Sequence, residues 1–393
     1  MRRIPSIDIA RGLVMIIMAL DHTRDYLHLW SRTHSPLDLA VTTPIFFFTR
    51  WLTHFCAPSF VFLSGVSAAL FLKGSQDPRA ARRWLLRRGL ILIGVEFTLV
   101  NFALSFDPQF RLLLFEVIAT IGAGLILLSQ LSRLSLKILL PLALLIVFGH
   151  DLLTPDRMAA EGGSAMAAVV RFISSLCLSP GGFQLNPQRL VVIAYPILPW
   201  LGIMLTGFAA GRLFEKPVRE RKRLFLWLGA SALGLFVVLR AVNVYGDPVK
   251  WSVQKDTVFT LLSFLNVNKY PPSLLFSLVT LAGLLLLLAA AEQRDNRITR
   301  VLIVYGRAPL FYFIVHLYLI HLIMFIVVFA QGYHPGDLRF GPFQFGHPPA
   351  GDGLPLWGVY ATWIAVVITM YPLCRWYGRY KAAHPEKTWL RYF

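Results

Sequence analysis

SIDIARGLVMIIMALDHTRDYLHL, residues 6–29, is long enough to cross a bilayer as a helix, yet it carries Asp8, Arg11, Asp21, His22, Arg24 and Asp25. On a helix Arg11 and His22 differ by only about 20° around the axis and stand roughly 16 Å apart along it. Asp25 falls within about 40° of Arg11, so one polar stripe runs through most of the depth of the span. Ionisable groups at such depth are costly unless paired or wetted, so they face the protein interior and mark a working site. The plainer alternative makes these charges interfacial anchors, a role that suits Arg24 on the opposite face. It suits the His22 and Asp25 pair less well.

Outward from this stretch, 56% of the 393 residues are hydrophobic and only 15% are charged, and apolar runs near twenty residues recur. That composition excludes an ordinary soluble domain and predicts an all-α polytopic membrane protein, a single integral membrane domain over 1–393. A net charge of +18 would suggest a nucleic-acid partner in a soluble chain. Here it follows from topology, and no nucleic acid is expected. Cys56, Cys177 and Cys374 lie far apart without ligand spacing, so neither a disulfide framework nor a metal site is indicated. The first span lacks a small-residue cleavage site and is expected to stay.

About ten transmembrane helices are predicted, over 7–29, 45–72, 85–104, 111–130, 135–153, 190–212, 223–244, 272–291, 308–329 and 356–377. Pro58 should kink the second and free the carbonyl of His54 one turn earlier. Residues 154–189 read as a long polar connection with an apolar patch at Ala165–Leu178. Gly202, Gly207 and Gly211 permit close helix packing. Basic residues cluster at Arg2–Arg3, Lys73–Arg88, Arg133–Lys137, Arg212–Arg223, Arg294–Arg307 and Arg375–Arg391, which ten helices place on one side. The basic side is cytoplasmic, so both termini are expected there.

Several groups suit acid–base chemistry. His22 is a candidate base, with Asp21 or Asp25 as an orienting carboxylate. His54 is a second imidazole at similar depth. Tyr312 and His316 share one helix face at i, i+4, and Arg307 precedes that helix. Lys269 and Tyr270 sit before Pro271 at the outer side, and His34 and Asp38 lie in the loop after the first helix. Each also has a structural reading: a hydrogen-bonded core histidine, an inward polar pair or an interfacial anchor. No nucleotide-binding glycine loop, zinc helix motif or nucleophile elbow occurs.

Five stretches in order carry a resemblance: SIDIARGLVMIIMALDHTRDYL, TRWLTHFCAPSFVFLSG, YPILPWLGIMLTGFAAG, FLNVNKYPPSLLF and YGRAPLFYFIVH. Together they resemble the bacterial relatives of heparan-α-glucosaminide N-acetyltransferase, and Arg11–Gly12 followed by His22 is similar to the membrane acyltransferase-3 enzymes. The resemblance implies a transmembrane acyltransferase-like bundle that moves an acyl group, acetyl above all, from cytoplasmic acyl-CoA to a hydroxyl or amine. The implied acceptor is an extracytoplasmic glycan or glycolipid, and the implied location is a bacterial inner membrane. A homodimer is a further expectation. On this reading His22, Asp25, Asp21, His54 and His34 are the catalytic candidates. Arg11, Arg307, His316 and Tyr312 would hold acetyl-CoA, and Lys269, Tyr270 and Asp38 the acceptor. His22 stands where the lysosomal enzyme has Asn, His28 and His34 are candidates for its second histidine, and His54 replaces an Asp. The competing reading is a transporter or flippase with the helix-1 charges as a proton relay, which predicts an internal pseudo-symmetry that the sequence does not show.

Overall fold

Every predicted span is helical over most of its length in the computed structural model, which describes residues 4–31, 33–153, 165–349 and 351–392. Arg2–Arg3 and residues 154–164 of the long connection lie outside the described residues. The first span is α1 (Pro5–Leu27). The second is broken at His54–Phe55 into α2 (Pro44–Thr53) and α3 (Cys56–Lys73), where Pro58 cannot donate to the His54 carbonyl. The third, α4 (Pro78–Val95), starts at an Asp77 cap and continues through a π turn at Glu96–Val100 into α5 (Asn101–Ser105). Two backbone N–H groups, of Ala80 and Arg79, bond the Asp77 carboxylate and hold it below its ordinary pKa.

The fourth and sixth spans need correcting at their starts. Residues 112–115 are a strand, β1 (Leu112–Phe115), before α6 (Val117–Leu131), and α7 (Leu136–Gly149) follows. The apolar patch forms α8 (Ala165–Cys177), which leads into β2 (Gly181–Asn186) and β3 (Arg189–Ile193), ahead of α9 (Ile197–Ala210). The three strands make one sheet in the order β1–β3–β2, with β3 parallel to β1 and antiparallel to β2. Short apolar runs such as LLLF and RLVVI fit a buried strand as well as a helix start, and only their pairing decides between the two.

Further along are α10 (Val218–Val242), α11 (Thr257–Leu265), α12 (Leu274–Ala291), α13 (Arg297–Gly306), α14 (Pro309–Ala330) and α15 (Leu356–Ala383). α11 and α13 lie between the predicted spans. Among the described residues, seven helical segments are long and apolar enough to cross a membrane, including Pro44–Lys73, Pro78–Ser105 and Pro309–Ala330. α1 has the length, 23 residues, but is too charged to count by composition alone, while α6 and α7 have 15 and 14 residues. The chain is thus an all-α, polytopic integral membrane protein.

Two glycine crossings seat α13 against the first turns of α1. A Cβ on Gly12 would lie 1.9 Å from the Leu302 carbonyl oxygen, and one on Gly306 would lie 1.9 Å from that of Asp8. α3 and α9 approach in the same way at Gly65 and Gly207, as the glycine pattern of the sixth span predicts. One end of the bundle gathers the basic residues. There Glu292 accepts from Arg221 at 2.9 and 2.6 Å and from the Ser6 hydroxyl at 2.8 Å, joining α10, α12 and α1. Tyr392 stacks on Trp84 at this same end, 5.9 Å between ring centroids.

Candidate active site

α1 and α14 meet through two imidazoles. His22 Nδ1 lies 2.8 Å from His316 Nε2, and the rings are stacked with centroids 5.0 Å apart. His316 is fully buried, and its Nδ1 is 2.8 Å from the Tyr312 carbonyl oxygen, one helical turn earlier. A carbonyl can only accept, so Nδ1 of His316 carries the hydrogen, and in the neutral ring its Nε2 is then an acceptor. His22 must therefore donate from Nδ1, which leaves its Nε2 lone pair as the basic position. His22 keeps some exposure, and its Nε2 has no hydrogen-bond partner among the described residues. The arrangement is a base held in one tautomer by a buried second imidazole.

A charged knot surrounds this pair. Asp21 accepts from Arg50 Nη1 at 3.0 and 2.7 Å and from the Thr53 hydroxyl at 2.8 Å, and Arg24 Nη2 lies 2.7 Å away. Arg24 also contacts the exposed Asp25 at 2.5 Å. Two guanidiniums thus face two carboxylates, the balance a low-dielectric site requires. Lys269 is buried, with its ammonium 4.9 Å from the Tyr270 ring centroid and 5.6 Å from that of Tyr195. It lies within Coulombic reach of Asp21, His22, His54 and Glu116. His54 is 1% exposed at the α2–α3 break, and neither ring nitrogen has a hydrogen-bond partner among the described residues. Two nitrogens of the buried Arg24, Nε and Nη1, are likewise unpartnered there. Buried polar groups are normally bonded, so these open valences point to a site that takes a polar guest.

A cavity of about 330 Å³ lies on the other side of His22, between α1, α3, α4, α6 and α14. Phe71, Trp84 and Arg88 line it near the basic end, and Arg11 lies on its wall. Arg88 sits over the Trp84 ring at 5.2 Å, and Arg11 donates to the Leu63 carbonyl at 3.2 Å and to the Ser67 hydroxyl. At its inner end is Phe313, whose ring stands edge-on to His22, 6.1 Å between centroids. The Phe313 ring therefore stands between the cavity that Arg11 and Arg88 line and the His22 imidazole.

The structure brings together His22, Asp21, Asp25, His316, Tyr312, His54, Lys269 and Tyr270 around the α1–α14 contact. Asp21 spends its oxygens on Arg24, Arg50 and Thr53, so His316 rather than a carboxylate is bonded to His22. Of Tyr312 and His316, which the sequence reading assigned to the donor, His316 is bonded to His22 and the Tyr312 carbonyl to His316. Arg307 is half-exposed, 3.7 Å from Asp8, and lines a different cavity from Arg11. His34 is exposed and bonds its neighbour Thr33 at 2.8 Å, and Asp38 bonds the Ala40 N–H at 3.0 Å, so both stay in their loop. His28 stacks on Phe46, 4.4 Å between centroids. Sequence reasoning missed Arg50, Thr53, Tyr195 and Glu116. Arg50 was open to discovery, because it precedes His54 by one turn and a buried Asp21 demands a cation.

No curated protein matches the sequence. A family model described as heparan-alpha-glucosaminide N-acetyltransferase, catalytic, matches residues 3–245, from α1 through α10 and so more than half of the chain. The chain belongs to that family of transmembrane acetyltransferases.

Proposed function

We propose that the protein transfers an acyl group, in the simplest case acetyl, from cytoplasmic acyl-CoA to a hydroxyl or amine of a glycan or glycolipid at the outer face. The observation that carries this is the cation-lined cavity that begins at the basic end and stops against Phe313 beneath His22. At about 330 Å³ it has the size of an acyl-pantetheine arm rather than of a whole nucleotide thioester. Arg11 and Arg88 supply the guanidiniums that phosphates favour. The fit is therefore a donor threaded from the basic side, with its thioester at the level of His22.

His22 Nε2 takes the proton of the acceptor O–H or N–H as that atom attacks the thioester carbonyl carbon. The tetrahedral intermediate collapses, the C–S bond breaks, and the CoA sulfur takes the proton from the His22 imidazolium as it leaves toward the cavity, which returns His22 to the neutral base. Asp21 and Asp25 offset the positive charge that His22 gains. The unpartnered N–H groups of Arg24 and the ammonium of Lys269 are the donors suited to the carbonyl oxygen as it becomes negative. Tyr270, exposed beside Lys269, is suited to a sugar face.

The test is incubation of purified protein with labelled acetyl-CoA, with and without membrane glycan extract. Release of CoA that requires the extract, with label appearing in glycan, supports the proposal. Extract-independent release, or none, with Arg11→Ala and Arg88→Ala binding CoA as well as the unmodified protein does, would remove the donor assignment.

A further inference from the structure

A second cavity, about 560 Å³, opens at the basic end between the α13–α14 joint, α15 and the segment that follows it. Six basic side chains line it: Arg307, Arg375, Arg379, Lys381, His384 and Lys387. Among the described residues no acidic side chain lines it; Glu386 is exposed nearby, and Asp8 meets Arg307 from α1 at 3.7 Å. Residues that merely fix topology need to be on one side of the membrane, and need not converge from three elements on one hollow. Arg375 and Arg379, one turn apart on α15, have no ion pair or hydrogen bond among the described residues. Other members are held in place: Lys387 donates to the Tyr380 hydroxyl at 2.5 Å, and His384 Nδ1 lies 2.8 Å from the Tyr380 carbonyl. Between the two arginines lies Gly378, and a Cβ there would meet nothing within 4 Å.

We infer that this cavity is a phosphate site, separate from the one lined by Arg11 and Arg88. The free guanidinium forks of Arg375 and Arg379 beside the held Lys387 ammonium are the donor set that phosphate oxygens select. Two sources carry that chemistry: the headgroup of an anionic phospholipid, and the phosphates of a soluble nucleotide such as CoA. Trp376 and Trp389, both exposed, flank the cavity with rings of the kind that settle at headgroup depth, which favours the lipid. The site does not depend on the acyl-transfer reading.

The experiment uses the full chain in detergent micelles. Phosphatidylglycerol and phosphatidylcholine retention is measured by native mass spectrometry, and CoA binding by calorimetry. Two variants are compared with the unmodified protein. Arg375→Ala/Arg379→Ala removes charge from exposed positions, and Gly378→Leu fills the hollow while leaving every charge in place. The expected result is selective retention of phosphatidylglycerol that weakens about tenfold or more in both variants. If CoA affinity falls in both variants while lipid retention holds, the phosphate site stands and its source is the nucleotide. Both variants binding both probes like the unmodified protein would overturn the site. So would weakening in the arginine variant alone, because diffuse surface charge ignores a leucine at 378.

Discussion

The tautomer chain Tyr312 carbonyl–His316–His22 makes a residue-level forecast. His22→Ala should leave donor binding intact and lower transfer by about 10²–10⁴, the range of a lost general base. His22→Asn keeps a hydrogen-bonding group without a proton-accepting nitrogen, and it should be as inactive as His22→Ala. His316→Ala should cost less and should shift the pH profile of kcat, since it changes how His22 is held rather than removing it. An unshifted profile in His316→Ala would leave that ring a packing role only. At this scale the sequence exposed Arg11, His22 and His54 because each interrupts an apolar span, where a polar group is conspicuous. Arg50 and Thr53 went unread because they lie in the last turn of α2, where polar residues are ordinary, and their role shows only once Asp21 is packed against them. Tyr195 and Glu116 went unread because their place beside Lys269 depends on how distant segments pack.

Among the elements, the α1–α13 crossing is the most exacting. Gly12→Val would drive a side chain into the Leu302 carbonyl, and backbone cannot retreat as a flexible side chain can. The expected cost is about 1–3 kcal/mol or more from overpacking, seen as a lower melting temperature in detergent. Because Arg11 is adjacent, CoA affinity should fall as well. A variant with unchanged melting temperature and CoA affinity would show that α13 can slide. Apolar runs long enough to span were legible as helices, since length and composition suffice there. α13 was not, because half its face is polar and its apolar side makes sense only against α1. The strands were lost for a related reason: β1 and β3 are 75-odd residues apart and are strands by virtue of pairing Leu112 with Leu190 through Phe115 with Ile193.

For the whole molecule, the buried Arg221–Glu292 pair with Ser6 ties three helices together at the basic end. Glu292→Ala leaves a buried guanidinium without its partner and should cost about 3–5 kcal/mol, measured as loss of folded protein on heating. An exposed pair such as Arg300–Asp295 should tolerate the same change with little effect. The orientation proposed from basic clusters has its own check. Single cysteines at Arg219 and Lys250, at opposite ends of α10, should label from opposite faces of the membrane. Labelling of both from one face would mean that α10 does not cross, and would sink the ten-helix topology.

Phe313 has a consequence beyond catalysis. A protein whose hollow reaches from one face of a bilayer to a polar cluster near the other is one aromatic ring away from being a pore. Met15 and Phe313 line the hollow where it ends, and the Phe313 ring lies edge-on to His22. Removing that ring should let water file from the cavity to an imidazole that can pass protons onward. Vesicles holding Phe313→Gly should then dissipate a pH gradient that vesicles of the unmodified protein retain, as read by an enclosed fluorescent dye. On this view the bulk of residue 313 is set by insulation: with a hollow on one side of it and a polar cluster on the other, that ring keeps the membrane electrically tight.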